Sequence, residues 1–135
     1  MSQWTDLYKQ KLTTPEEAVK LVKDHDWVDY GMASSQPIVL DKALAARKDE
    51  LKDIKVRTAF SLAPRQIVEA DPNRDTFTMM NWHMSGYDRK LCSKGLNNFI
   101  PMMYRNKPSM YRDILDVDVA MITVSPMNKH GFFSF

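Results

Sequence analysis

Trp27-Val28-Asp29-Tyr30-Gly31-Met32-Ala33-Ser34-Ser35-Gln36-Pro37 is the stretch whose reading decides the fold. Its first four residues are β-formers that stop at a glycine, which predicts a short strand. Gly31 to Pro37 is a loop of small and polar residues. Pro37 then opens a helix whose apolar face is Leu40, Ala43 and Leu44, closed by Arg47 and Lys48. Ile54, Val56 and Thr58, followed by Phe60, alternate as a second strand. Strand, loop, helix and strand make a βαβ unit, so the fold class is α/β with a mainly parallel sheet and a right-handed crossover.

The pattern extends in both directions. Upstream, Trp4, Leu7 and Tyr8 sit at helical spacing, and Thr14-Pro15-Glu16-Glu17 reads as an N-cap with a capping box. The helix that follows, with Ala18, Val19 and Val22 on its apolar stripe, is expected to stop near Asp24. Downstream, Gln66 to Glu69 reads as a helical turn and Thr76 to Met84 as a strand. Ser85 caps a helix running to Ser93, with Gly95 ending it. Phe99 to Tyr104 reads as an edge strand, given Pro101, and Ser109 to Leu115 as a short helix. Val117 to Val124 is the strongest strand signal, apolar enough to predict burial on both faces. After a turn at Asn128-Lys129-His130-Gly131, Phe132-Phe133-Ser134-Phe135 reads as the start of another apolar element, from which the natural chain is expected to continue.

Composition narrows the function. The 135 residues, 44% hydrophobic and 27% charged, describe one globular domain rather than two. A chain of this size buries roughly 68% of its unfolded surface and needs no disulfide or metal to hold a core. Nineteen basic against 17 acidic residues give a net charge of +2, which argues against a dedicated nucleic-acid binder. A lone cysteine, Cys92, excludes an intrachain disulfide and points to a reducing, cytoplasmic setting. There is no signal-peptide pattern and no apolar run long enough to span a membrane. His25, His83, Cys92 and His130 lack any metal-ligand spacing.

The leading site candidate is the Gly31–Pro37 loop, at the carboxyl end of a parallel strand, where ligands of α/β sheets bind. Its backbone N–H groups, with Ser34, Ser35 and Gln36, suit an anion or a carbonyl oxygen. His83, after the third strand, is placed to act as an acid or base or to orient a ligand. Arg89, Lys90, Lys94, Arg105, Lys107 and Arg112, opposed only by Asp88, form a basic stretch that reads either as a phosphate contact or as a solvated face. Cys92 has basic neighbours but no evident base. Glu16, Glu17, Glu50 and Glu69 are the only glutamates, and none lies in a setting suited to a nucleophilic carboxylate.

Thr14-Pro15-Glu16-Glu17-Ala18-Val19, Asp26-Trp27-Val28-Asp29-Tyr30-Gly31 and Leu40-Asp41-Lys42-Ala43-Leu44-Ala45 closely resemble the start of the butyryl-CoA:acetate CoA-transferases. Those group with 4-hydroxybutyrate CoA-transferases and acetyl-CoA hydrolases. Trp82-His83-Met84-Ser85-Gly86 with Arg89-Lys90, Asp118-Val119-Ala120-Met121, and Ser125-Pro126-Met127 leading to His130-Gly131 are similar too. The resemblance implies the N-terminal part of the first domain of a two-domain CoA-transferase fold. It implies transfer of coenzyme A between a short-chain acyl-CoA and acetate through a glutamyl-CoA intermediate, with the glutamate on a second, C-terminal domain missing from these residues. The CoA thioester is then a substrate, with no bound cofactor and no metal, and the partners are acyl-CoA, a small carboxylate, the missing domain and further copies of the chain, but neither nucleic acid nor membrane. No catalytic residue is carried over. Gly31, Ser34, Ser35, Gln36, His83 and His130 are the substrate-binding candidates. A non-catalytic binding module derived from such a domain is the alternative reading.

Overall fold

A computed structural model describes residues 3–135. Five strands form one all-parallel sheet: β1 (Trp27–Tyr30), β2 (Ile54–Thr58), β3 (Phe77–Asn81), β4 (Asn98–Phe99) and β5 (Val119–Met121), in the order β4-β3-β2-β1-β5. The chain therefore steps outward from β1 to β4 and then returns to place β5 on the far side of β1. That reversal makes the carboxyl end of β1 the topological switch point of the sheet.

The helices follow from local sequence. They are α1 (Gln3–Lys11), α2 (Pro15–Ala18), α3 (Ile38–Ala45), α4 (Gln66–Ala70), α5 (Gly86–Ser93) and α6 (Lys107–Asp113). At α2, Thr14 accepts from the Glu17 N–H, but the expected capping box is only half-formed, since the Glu17 carboxylate pairs with Lys20 Nζ. At α5 the Ser85 hydroxyl accepts from the Asp88 N–H and the Asp88 carboxylate accepts from the Ser85 N–H, a complete capping box. The helix stops where Gly95 takes φ +73°, with Gly95 N–H on Cys92 O and Leu96 N–H on Leu91 O, the paired bonds of a Schellman ending.

Strand alternation divides the sheet into two faces. Val28, Tyr30, Ile54, Val56, Phe77 and Met79 point into the main core with Val19, Val22, Leu44, Ile67 and Leu91. Several of these are fully buried, each contributing about 1.5–3 kcal/mol relative to exposure. The opposite face carries Trp27, Asp29, Arg57 and Met80 and is covered in part by α6.

Several boundaries differ from the sequence expectation. The helix from Pro15 does not reach Asp24: it becomes a 3-10 turn at Val19–Leu21. Arg47 donates to the carbonyls of both Val19 and Val22, and Asp26 accepts the Lys23 N–H, so those groups are withdrawn from a helical ladder. The third strand ends at Asn81: Trp82 N–H still reaches Thr58 O at the end of β2, but His83 O accepts from Phe60 N–H in the loop beyond it. Of Phe99 to Tyr104 only Phe99 lies in a strand, since Pro101 has no N–H to pair. The last helix begins at Lys107, two residues before the expected Ser109.

Burial of Val117 to Val124 on both faces is overturned. Only Val119–Met121 is strand, it pairs with β1 alone, and Val117, Ile122 and Val124 are exposed. Its apolar run reflects an edge position rather than a central one. The Phe132–Phe135 segment forms no strand: Ser125 N–H bonds Ser134 O and Asn128 N–H bonds Phe132 O, folding it back over the turn.

One buried carboxylate starts β3. Asp71 accepts the N–H groups of Asp75, Thr76 and Phe77 at 3.1, 2.8 and 2.8 Å, with Lys48 Nζ at 3.7 Å. Burial alone would raise its pKa, but the three backbone donors and Lys48 outweigh it and hold the carboxyl below the usual range. Replacing Asp71 by Ala strands buried donors and is expected to cost about 3 kcal/mol, read from urea unfolding. A folded pKa below the unfolded value of about 3.9 means that this stabilisation is present above that pH and is lost as pH falls through the folded value. The variant should therefore lose less of its remaining stability than the parent on acidification. An unchanged urea midpoint would refute the role.

Candidate functional site

The carboxyl ends of four strands are joined by backbone hydrogen bonds into a continuous rim. Gly31 N–H bonds Met121 O at 2.8 Å and Thr123 N–H bonds Ser35 O at 2.9 Å, joining the β5 and β1 loops. Ala33 N–H bonds Phe60 O at 3.2 Å and Phe60 N–H bonds His83 O at 2.7 Å, joining the β1, β2 and β3 loops. Ala33 and Phe60 both hold positive φ, +48° and +49°. Such backbone costs roughly 1–2 kcal/mol for a residue with a Cβ and clusters at functional sites. Gly31 is required for a different reason. A Cβ there would lie 2.2 Å from Ser35 O, so only glycine lets the loop curl onto itself.

Two adjoining cavities open along this rim. One of about 540 Å³ is lined by Gly31, Ala33, Ser34, Ser35, Ile122 and Phe135, with Asp29 and Tyr111 at its base. The other, about 490 Å³, is lined by Ala59, Trp82, His83, Met102, Met103 and Tyr104. Met32 and Lys107 line both. Both sizes suit a small organic ligand, and the walls are mainly apolar.

Beneath the first cavity lies a buried ion pair. Arg57 Nε donates to Asp29 Oδ1 at 2.7 Å across the β1–β2 register, and its terminal nitrogen donates to Asp116 O. The guanidinium sits 4.6 Å from the Trp27 ring centre and 5.6 Å from that of Tyr111. The Tyr111 hydroxyl donates to the other Asp29 oxygen, and its ring packs on Trp82. Burial, and then the Asp29 carboxylate, push the Tyr111 phenol far above its ordinary pKa, so it stays a neutral donor.

A second polar network lies under the rim on the core face. Arg65, fully buried, donates to Ser61 Oγ and Thr58 Oγ1 at 3.0 and 2.9 Å and stacks 5.4 Å from the Tyr30 ring. Tyr30 donates to Asp41, which also accepts the Gln66 N–H at 2.6 Å. Burial raises the pKa of Asp41, and burial with the Asp41 charge raises Tyr30. Asp88 accepts from Ser61 N–H and Ser85 N–H. Burial alone would raise its pKa, but these donors hold it low. These residues fix the loops that carry the rim.

The sequence candidates separate accordingly. Gly31, Ser34 and Ser35 line the first cavity and His83 the second. Gln36 is buried, and its amide is committed: Oε1 accepts from Leu62 and Ala63 N–H, and Nε2 donates to Ala63 O. It clamps the β2 loop and lines neither cavity. His130 sits in the exposed turn whose Gly131 packs against Trp4, apart from both cavities. Cys92 lies half-buried in α5 and lines neither cavity. Sequence reading missed Trp82, Met102, Lys107 and Tyr111 as cavity residues, and it included Met32 only as part of the candidate loop. The basic stretch did contain Lys107, but nothing in its spacing set it apart from its neighbours.

No serine hydroxyl is bonded to a histidine among the described residues, and no group of three His, Cys, Asp or Glu side chains there is placed to hold a metal. No helix among them is long and apolar enough to cross a membrane. The loop's backbone does not stand free for an anion as expected: the N–H groups of Gly31, Ala33, Ser35 and Gln36 are bonded to the Met121, Phe60, Met32 and Ala33 carbonyls. What the rim offers is an apolar trough with two serines, a histidine and one lysine.

Comparison with known proteins gives this trough a context. The sequence matches the acetyl-CoA hydrolase/transferase N-terminal domain over residues 1–135. It is 45% identical over 129 residues to the butyryl-CoA:acetate CoA-transferase of Anaerostipes caccae, covering 95% of this chain and 29% of that protein. It is 28% identical to the 4-hydroxybutyrate coenzyme A transferase of Clostridium kluyveri, covering 98% of this chain and 31% of that one. The chain thus spans less than a third of the length of these relatives. Among solved structures, RipA from Yersinia pestis superimposes with a TM-score of 0.83 at 26% identity, covering 98% of this chain and 33% of RipA. The all-parallel sheet, its switch-point trough and these matches agree: the chain belongs to the acetyl-CoA hydrolase/transferase family and corresponds to its N-terminal domain.

Proposed function

We propose that these residues form one wall of the active site of an acyl-CoA:carboxylate CoA-transferase. It moves coenzyme A from a short-chain, butyryl-like acyl-CoA to acetate, giving acetyl-CoA and the free acid. The observation that carries the reading is the apolar trough at the switch point, in a chain 45% identical to a butyryl-CoA:acetate CoA-transferase. Met32, Trp82, Met102 and Met103 provide walls for an alkyl chain, and methionines adapt to its length. The rim's small residues let the thioester approach the backbone closely.

Transfer through a mixed anhydride and a glutamyl-CoA thioester needs a shielded carboxylate nucleophile. Glu16, Glu17, Glu50 and Glu69 are all exposed and line neither cavity. In this reading the nucleophile comes from a second domain that closes over the rim, and Ser34, Ser35 and His83 face the substrate from this side.

The test is made on the full polypeptide that carries residues 1–135. Incubated with butyryl-CoA and acetate, it is expected to form acetyl-CoA and butyrate in equal amounts, followed by mass spectrometry. Thioester hydrolysis independent of acetate, or no turnover, would refute the transferase reading. In the same protein Gly31→Ala, which drives a Cβ into Ser35 O, is expected to lower kcat/KM about a hundredfold by displacing the loop. Unaltered kinetics would remove this loop from the site.

A further inference from the structure

Lys107 is the one residue besides Met32 that lines both rim cavities, so the residue lies where they adjoin. The side chain is half-buried. Its Nζ sits 5.4 Å from the centre of the Tyr111 ring, and that ring is itself fixed by the Asp29 carboxylate and by packing on Trp82. No ion pair of Lys107 occurs among the described residues. Asp29, the carboxylate on the first cavity, is already committed to Arg57 and Tyr111. The ammonium is thus a positioned, uncompensated positive charge between apolar walls, where attraction for an anion is stronger than in water.

We infer that Lys107 anchors the carboxylate of the free acid, acetate as it enters and butyrate as it leaves, with the butyrate chain laid among Met32, Met102 and Trp82. The inference rests on the transferase reading and extends it by giving the acid a positioning residue on this domain. Charge decides the ligand class. One ammonium matches one carboxylate, whereas a phosphate dianion calls for several converging donors, and Lys107 is the sole lysine or arginine on these two cavities. The walls also favour an alkyl acid over the polar arm of a coenzyme. Lys107 forms no covalent bond here. It orients acetate for attack on the glutamyl thioester carbonyl, which forms the mixed anhydride and expels the CoA thiolate, and it holds butyrate as that acid departs.

Two measurements on the full polypeptide test this. In steady-state kinetics Lys107→Met is expected to raise KM for the carboxylate at least tenfold while leaving KM for acyl-CoA unchanged, the loss of a charge-assisted contact. Lys107→Arg should recover most of it. An unchanged carboxylate KM, or a rise in the acyl-CoA KM instead, overturns the inference, the latter assigning the ammonium to the coenzyme. In the second measurement, saturation-transfer NMR compares butyrate with n-butanol, which keeps the chain and lacks the charge. The parent should prefer butyrate, and Lys107→Met should lose that preference. That result without any CoA transfer would refute the transferase reading and leave the anchor standing. CoA transfer with a carboxylate KM indifferent to position 107 would do the reverse.

Discussion

The Arg57 guanidinium holds together the parts that make the trough. It links β2 to β1 through Asp29, reaches the loop before β5 through Asp116 O, and lies between the Trp27 and Tyr111 rings. A buried ion pair is not automatically stabilising, because desolvation offsets the attraction. Here the pair is saturated: both Asp29 oxygens are bonded, one by Arg57 and one by Tyr111. Removing either charge would strand the other at a cost of about 3–5 kcal/mol. The position of α6, and hence of the ammonium above the rim, follows from this arrangement.

The core of the architecture was legible because periodicity and local chemistry agree there. Trp27–Tyr30 and Ile54–Thr58 are strands at their expected places, and Ser85 and Gly95 begin and end α5 as their side-chain chemistry requires. Legibility failed where long-range partners compete with local preference. Arg47 takes the carbonyls that would continue the helix from Pro15, and no pattern near Val19 announces an arginine twenty-eight residues away. The run from Val117 to Val124 reads as central because composition reports apolarity and not the number of neighbouring strands.

The site was legible in its loop and opaque in its far wall. Glycine followed by small polar residues after a strand is a local signal, and Gly31, Ser34 and Ser35 do line a cavity. Gln36 carries the same polarity, yet the fold directs its amide to the neighbouring loop. Lys107 and Tyr111 come from a helix almost eighty residues downstream, and only the return of the chain across β1 brings them above Gly31. Such a wall is a property of topology.

The rim also has a dynamic meaning. Each loop contributes a backbone donor or acceptor to the next, from Thr123 through Ser35, Ala33 and Phe60 to His83. Opening any one of them leaves an unpaired group on its neighbour, so local fluctuations on this edge are shared and not independent. Ordering imposed at one cavity is therefore felt at the other as reduced freedom, a thermodynamic coupling that needs no displacement of the sheet beneath.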